Sequence, residues 1–287
     1  MTAKLQRRQV LGTGLAGLAA MTMGNVQAVP IPKWDREVDI LVVGTWFAGL
    51  CAAIEAKNAG RSPELIEMMS YTGGNSRVTG GGIAAPGNPM QKEKGIEDSP
   101  ELLLADMLKA GNHLNFPDLA KTVAYGALDA YNWLVDEIGV KFVRLVYHGG
   151  HSVIRSCGAE LLDAHVTNFM VKLEEKAVAL NIRIVKRTKL VRLITDDEGA
   201  VIGAELRRDY TFGKPDSGKP EFVRTGGIVL GSGGFAANPA MRKLADPRLD
   251  ESVETTNHVG ATGEAIAAAQ MIGAGVTQMD WIQCHPW

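Results

Sequence analysis

A strand, a helix and a second strand in close succession constrain the fold of this chain most strongly. Val38–Val43 is a short, nearly continuous apolar run, which is typical of a buried parallel strand, and it ends at Gly44. Apolar residues then recur at helical spacing over Phe47–Asn58. A second short strand, Leu65–Ile66, ends on Glu67, at about the 20-residue distance from which a carboxylate contacts an adenosine ribose. The pattern predicts a βαβ unit with a dinucleotide site.

The turn after the first strand departs from the usual nucleotide fingerprint. Gly-x-Gly-x-x-Gly needs glycine at its second position because the backbone approaches the pyrophosphate there. This chain has Gly44, Trp46 and Gly49 at the three positions, so an indole replaces the second glycine. Two alternatives stay open. Either the Trp46 side chain turns out of the site and the nucleotide binds normally, or the chain binds its cofactor poorly or not at all.

A second glycine-rich loop follows the acidic residue. Thr72–Gly82 reads TGGNSRVTGGG, whereas an NAD domain normally continues into another helix. Backbone without side chains can lie flat against a large planar ligand. On these two loops the segment resembles the FAD-binding segment of the fumarate reductase and succinate dehydrogenase flavoprotein family, most closely its soluble flavocytochrome c type branch. The resemblance runs from about Val38 to the end of the chain.

The resemblance implies a fold class and a cofactor. The expected fold is α/β, a Rossmann-like FAD-binding domain of the glutathione reductase type with an inserted β-meander and helices, over residues 38–287. The cofactor is FAD. The residues assigned to it from the fingerprint and from the family are Gly44, Ala48, Gly49, Glu67, Gly74, Asn75, Ser76, Gly80, Gly81, Leu190, Gly233 and Glu264.

The β-meander is predicted in the second half of the chain. Ile182–Val185, Thr188–Ile194 and Val201–Leu206 are short apolar segments separated by turn residues. A further strand, Ile228–Leu230, runs into the glycine turn GSGGF. The family has a similar bare turn at this place, where the strand end passes close under the cofactor.

Helices are expected between these segments. Pro100 and Pro117 open two of them, since proline is favoured at the first helical position. Asp129–Ile138 is predicted as a third helical segment and Ala159–Ala179 as a fourth. Pro86–Ser99 is polar and proline-punctuated, which predicts a surface connection.

Substrate contacts are implied by the family. His285, followed by proline, matches the family histidine that holds one substrate carboxylate, and backbone around Gly81 is expected to line the same cavity. His148, His151 and Arg155 lie in one loop and are candidates for cationic donors to a carboxylate. No catalytic residue is assigned within the chain, and no metal site is expected.

The first 28 residues are predicted to be a twin-arginine signal peptide. Arg7 and Arg8 precede a weakly apolar run, Val10–Met23, which is too short for a membrane span. A linker over residues 29–37 would lead into the FAD-binding domain. Export by this route implies a periplasmic protein that folds around its cofactor before it crosses the membrane.

The composition limits the kinds of partner and cofactor that the chain is expected to have. The chain has 287 residues, 46% of them hydrophobic, and a formal net charge of −2, so it can bury one sizeable core and nucleic acid is not expected as a partner. Its three cysteines are too far apart for a zinc cluster, and the sequence has no C-x-x-C-H for covalent haem. Electrons would therefore come from a separate periplasmic, cytochrome-like donor.

The activity implied by the resemblance is reduction of an α,β-unsaturated carboxylate such as fumarate, by hydride transfer from flavin N5. Two alternatives stay open: a related flavoenzyme for urocanate or a 3-ketosteroid, and an inactive truncated relative. The family continues past the position of Trp287 with a capping domain, which carries the proton-donating arginine, and a second FAD segment. The chain is therefore expected to be a fragment or a truncated form that does not reduce fumarate by itself.

Overall fold

The computed structural model describes residues 33–162 and 168–284. Residues 1–28, which are predicted to be a signal peptide, and His285 lie outside these ranges. The strands are β1 (Arg36–Val43), β2 (Pro63–Ile66), β3 (Gly82–Ala84), β4 (Phe142–Val146), β5 (Ser156–Ala159), β6 (Arg183–Val185), β7 (Thr188–Thr195), β8 (Val201–Arg208) and β9 (Lys219–Leu230). The helices are α1 (Phe47–Asn58), α2 (Gly74–Arg77), α3 (Pro89–Glu93), α4 (Pro100–Ala110), α5 (Pro117–Asp136), α6 (Asn168–Ala179), α7 (Pro239–Ala245) and α8 (Glu264–Met271).

A six-stranded sheet with the order β6-β2-β1-β9-β8-β7 forms the centre of the described residues. The first four strands in this order are parallel, and β9, β8 and β7 are antiparallel. Val43 lies opposite Ile66 on one side and Leu230 on the other, so β1, β2 and β9 end at the same edge. Ligands of such sheets bind outside the carboxyl ends of the parallel strands.

Strand β9 joins the parallel sheet to the β-meander. Its first half pairs with β8, and its second half runs beside β1. The predicted Rossmann-like fold with a β-meander is therefore confirmed. The strand predicted over Ile228–Leu230 is the last quarter of a strand of 12 residues, which serves both parts of the sheet.

Both faces of β1 are buried, which explains its continuous apolar sequence. Successive side chains of a strand point to opposite faces. Val42 packs with α1, α5 and α6 on one face, whereas Leu41 and Val43 pack with the β-meander and α8 on the other. The glycine turn that follows β1 is thus anchored by two hydrophobic cores.

A second sheet, with the order β3-β5-β4, corrects the prediction of a helix that starts at Ala159. Ser156–Ala159 is a strand that pairs on one side with Gly82–Ala84 and on the other with β4. All four of its residues are buried, and this double pairing satisfies their backbone groups. The described part of the following helix starts at Asn168.

Two further expectations are corrected. Asp129–Ile138 is not a separate helical segment, because α5 is one helix of 20 residues with an apolar face that continues across Asp129. Pro86–Ser99 is not only a surface connection, because it contains α3 and buries Asn88 and Gln91 completely. The Asn88 side chain caps α3 and donates to a backbone carbonyl at 2.7 Å, which explains how polar residues are buried there.

Candidate functional site

A cleft lies at the sheet edge where β1, β2 and β9 end. It encloses about 520 Å³, including solvent at its mouth. Its walls come from the ends of β1 and β2, the start of β7, the turn after β9 and the first residues of α8. Four residues assigned to the cofactor from the sequence line it: Gly44, Glu67, Leu190 and Glu264.

Glu67 is the central polar group of this cleft. It is 6% exposed, and its Oε2 accepts hydrogen bonds from the amide of Thr45 at 3.2 Å and from the Thr45 hydroxyl at 2.5 Å. Its Oε1 accepts a third from the amide of Met69 at 2.9 Å. The carboxylate is therefore fixed beside the glycine turn, with acceptor capacity left for a ligand hydroxyl.

The glycine turn brings backbone amides to the same edge. A Cβ on Gly44 would lie 2.5 Å from the Cα of Ser232, and a Cβ on Gly49 would overlap the carbonyl oxygen of Gly44. These contacts explain glycine at both ends of the fingerprint. Within the described residues, the amides of Ala48 and Gly49 make no hydrogen bond. Free amides at a helix N-terminus are suited to an anion.

The second glycine loop is fastened to the segment that precedes α8. The side-chain amides of Asn75 and Asn257 are hydrogen-bonded, and Asn75 Oδ1 accepts from the amide of His258 at 2.5 Å. His258 Nε2 and the Tyr71 hydroxyl are also hydrogen-bonded, at 2.8 Å. Ser76 accepts a hydrogen bond from the first amide of α1 at 3.0 Å. Asn75 and Ser76 therefore tie this loop to both neighbouring segments.

Lys189 and Glu264 close the outer end of the cleft. Their side chains form an ion pair at 2.9 Å, and the Lys189 ammonium lies 5.2 Å from the centre of the Tyr210 ring. Leu190, the next residue of β7, is 6% exposed and gives the cleft an apolar wall. This end combines an apolar surface with one cation and one anion.

The Trp46 indole fills the gap between the two glycine loops. A Cβ on Gly74 would overlap its pyrrole edge, and a Cβ on Gly233 would overlap its benzene edge. Gly74 and Gly233, both assigned to the cofactor from the sequence, therefore contact Trp46. The tryptophan does not turn out of the site in this structure.

Gly80 and Gly81 lie away from this cleft, on the segment that leads into β3. The Gly81 carbonyl accepts from the amide of Ala159, and its own amide donates to the Thr79 hydroxyl, both at 3.0 Å. Gly81 is thus held beside the small sheet and not beside Glu67.

Arg155 is not available to a ligand, which corrects its prediction as a cationic donor. It is fully buried, and its guanidinium contacts Asp98 at 2.9 Å and Asp106 at 2.6 Å. Burial, followed by the charges of Arg155 and His148, lowers the pKa of His151. The lowered pKa disfavours the cationic form of His151 that the predicted role needs.

Among the residues that the sequence did not assign to the site are Thr45, which donates to Glu67, and Lys189 and His258, which line the cleft. Thr45 follows Gly44 directly and Lys189 precedes Leu190, so each lay beside an assigned residue. His258 lies between the glycine turn that follows β9 and helix α8. Position next to a strand end was the available signal for the first two.

A protein-family model described as an FAD binding domain matches residues 39–287. The chain belongs to this family. The acrylate reductase flavoprotein subunit of Shewanella woodyi is 37% identical over 284 residues, which cover 96% of this chain and 54% of that protein. The urocanate reductase of Eggerthella lenta is 36% identical, over 87% of this chain and 40% of its own length.

A solved structure supports the same assignment. The open conformation of a flavocytochrome c3 fumarate reductase matches 100% of this chain and 47% of its own chain, with a TM-score of 0.80 and 25% identity. The resemblance predicted from the two glycine loops is therefore confirmed. The chain spans about half the length of the proteins that it matches.

The cofactor of this family is FAD, and the cleft fits one part of it. The carboxylate of Glu67, the apolar wall at Leu190 and the adjacent Lys189 suit a ribose and an adenine base. The free amides of Ala48 and Gly49 suit phosphate oxygens. At the second fingerprint position, however, the chain has the Trp46 indole, which lies between Gly74 and Gly233.

Two features are absent from the described residues. No helix in 33–162 or 168–284 is long and apolar enough to cross a membrane. The same residues contain no group of three His, Cys, Asp or Glu side chains placed to hold a metal ion.

Proposed function

We propose that this chain is the FAD-binding part of a reductase for α,β-unsaturated carboxylates. The observation that carries the proposal is the buried Glu67 carboxylate, fixed beside the glycine turn at the shared carboxyl edge of β1, β2 and β9. The similarity of the chain to acrylate and urocanate reductases supports unsaturated carboxylates as the substrate class.

Each residue of the cleft has a proposed binding role. Glu67 accepts hydrogen bonds from ribose hydroxyls, and Leu190 packs against the adenine. The amides of Ala48 and Gly49 donate to phosphate oxygens. Glu264 orients Lys189 through their ion pair. Bound FAD supplies hydride transfer to the activated double bond, while the protein supplies placement.

Substrate binding is proposed for two further positions. His285 would donate to one substrate carboxylate, as the resemblance implies. Because the Gly81 amide already donates to Thr79, its contribution would be a surface without a side chain, against which a flat substrate can lie. Acrylate and fumarate are the first candidates, and urocanate is the alternative that the second relative favours.

We also propose that the protein is exported to the periplasm and receives electrons from a separate cytochrome-like donor. The proposal rests on Arg7 and Arg8 in the predicted signal. Residues 1–28 fused to a folded reporter should send it to the periplasm, and changing both arginines to lysine should stop this export. Export that persists in the lysine variant would contradict the twin-arginine route.

The reductase proposal is tested in two steps, FAD binding with this chain and turnover with a longer protein in which the chain is joined to the capping domain and the second FAD segment that the resemblance implies. Flavin fluorescence titration should show saturable FAD binding. Oxidation of reduced viologen should then depend on added acrylate, fumarate or urocanate, with one of them preferred. Binding without oxidation by any of the three would contradict the reductase activity, and failure of a natively folded protein to bind FAD would contradict the flavin site itself.

A further inference from the structure

We infer that Trp46 divides the cofactor site into two parts, an open adenosine pocket and a diphosphate passage that is closed until the indole leaves it. This inference rests on the proposed FAD site and adds a residue that controls access to it. It implies that the chain binds adenosine readily and binds ligands with a diphosphate only after Trp46 moves.

The Trp46 indole lies between the two glycine loops. Its pyrrole edge, including Nε1, lies where a Cβ of Gly74 would be, and its Cζ3 and Cε3 lie where a Cβ of Gly233 would be. The ring therefore reaches from one glycine loop to the other. No room remains between the loops for a second group of similar width.

The start of α1 supports the same inference. Trp46 is the N-cap residue of α1, and the free amides of Ala48 and Gly49 follow it. In the nucleotide fingerprint the second glycine lets the backbone approach the pyrophosphate. Here the amide donors are present, but the second position carries the Trp46 indole, which lies between Gly74 and Gly233.

The adenosine part of the site does not need this passage. Glu67, Leu190 and Glu264 line the outer cleft, and Trp46 forms only one of its walls. Glu67 keeps its hydrogen bonds to Thr45 and Met69 with the indole in place. The residues proposed to hold the adenosine therefore keep their arrangement while the passage stays closed.

The hydrogen bonds beside the gap indicate whether the indole or the glycine loop moves. Asn75 fastens the loop that carries Gly74 to Asn257 and His258, so moving this loop away from the ring would break these hydrogen bonds. Trp46 is partly exposed and makes no side-chain cap to α1, so a rotation of its side chain costs none of them. The indole, and not the loop, is the moving part.

The test compares three ligands on matched variants of the chain. Adenosine, ADP and FAD are titrated by calorimetry into the wild-type chain, Trp46→Gly and the control Trp281→Gly, whose side chain is 59% exposed. Glycine is well tolerated at an N-cap, so Trp46→Gly should fold. We expect the affinity for ADP and FAD, relative to that for adenosine, to rise at least about tenfold in Trp46→Gly and to stay unchanged in Trp281→Gly.

A kinetic measurement on the wild-type chain gives an independent test. If the indole must leave first, the observed rate of FAD binding levels off as FAD concentration rises, whereas the rate for Trp46→Gly increases linearly. Trp46→Ser, which restores a good N-cap residue, should behave like Trp46→Gly.

Equal affinity of ADP and FAD for the wild-type chain and Trp46→Gly would overturn the inference, as would a wild-type rate that rises linearly with FAD. These outcomes would leave the flavin site intact. Failure of adenosine and FAD to bind any folded variant would instead overturn the proposed function, and the inference with it.

Discussion

Glu67 and Thr45, which are 22 residues apart in the sequence, are joined by two buried hydrogen bonds across the ends of β1 and β2. The carboxylate accepts from both the amide and the hydroxyl of Thr45. The acidic residue that marks the second strand of the βαβ unit thus also shapes the turn after the first strand. Binding and folding are therefore coupled at this residue.

Substitution of Glu67 should reduce stability as well as ligand binding. Glu67→Ala leaves the buried amides of Thr45 and Met69 without their acceptor, which should lower the free energy of unfolding by about 1–3 kcal/mol. Glu67→Gln keeps one oxygen and should lose less. Urea unfolding measures this, with the exposed Glu37→Ala as the control. Equal loss in Glu67→Ala and Glu37→Ala would contradict the role of the carboxylate in the turn.

Removal of the buried cation at Arg155 should lower the free energy of unfolding more than removal of the Glu67 carboxylate does. Arg155→Met leaves Asp98 and Asp106 buried without their cationic partner, and breaking a buried pair in this way costs about 3–5 kcal/mol. The matched control is Arg224→Met, which removes an exposed pair with Glu37 and should cost at most about 1 kcal/mol. Thermal unfolding of the two variants decides the point, and similar melting temperatures would show that the buried pairs contribute little.

Asp106 should make stability depend on pH in the acidic range. Burial alone would raise the pKa of its carboxyl, but hydrogen bonds from the Ser152 amide and from Arg155 outweigh burial and lower this pKa. The unfolded chain, with an ordinary pKa of about 3.9, then binds more protons than the native state as pH falls. The stability that Asp106 contributes is therefore complete above about pH 4 and is lost as pH falls through the lowered native pKa.

This pH dependence is isolated by Asp106→Asn. The difference in unfolding free energy between the wild-type chain and the variant should be largest near neutral pH and shrink below about pH 4. A difference that grows as the solution becomes more acidic would contradict the assignment.

The cysteines should differ sharply in reactivity. Burial raises the pKa of the Cys51 thiol to about 12, with a smaller effect from Glu55, and burial raises the pKa of Cys157 to about 12. Cys284 is exposed. Because the thiolate is the reactive form, one thiol should react quickly with a disulfide reagent at about pH 8, and all three should react after denaturation. Rapid reaction of all three in the native chain would show that the two thiols are not protected.

The sequence predicted the nucleotide half of the fold because its signals are local. The apolar run of β1, the helical spacing of α1 and the acidic end of β2 each lie within a few residues. The small sheet escaped prediction because Ser156–Ala159 is short, contains glycine and depends on partners from distant segments. Its burial, and not its residue types, makes it a strand.

The candidate site was predictable in its residue types and less so in its contacts. Glu67, Leu190 and Glu264 were assigned from position and family pattern, and the structure brings them to one cleft. The pairing of Arg155 with Asp98 and Asp106 spans 57 and 49 residues, and no local pattern signals it. The orientation of Trp46 stayed open because it depends on two glycine loops that are far apart in the sequence.

The most direct test of the account is the visible absorption spectrum of the purified chain after incubation with FAD and gel filtration. The Trp46→Gly chain should retain the flavin absorption bands in the protein fraction, and the wild-type chain should retain much less flavin. Flavin bands of equal strength in both would contradict the role of Trp46. A colourless protein fraction from both, with native thermal unfolding, would contradict the flavin site on which the whole account rests.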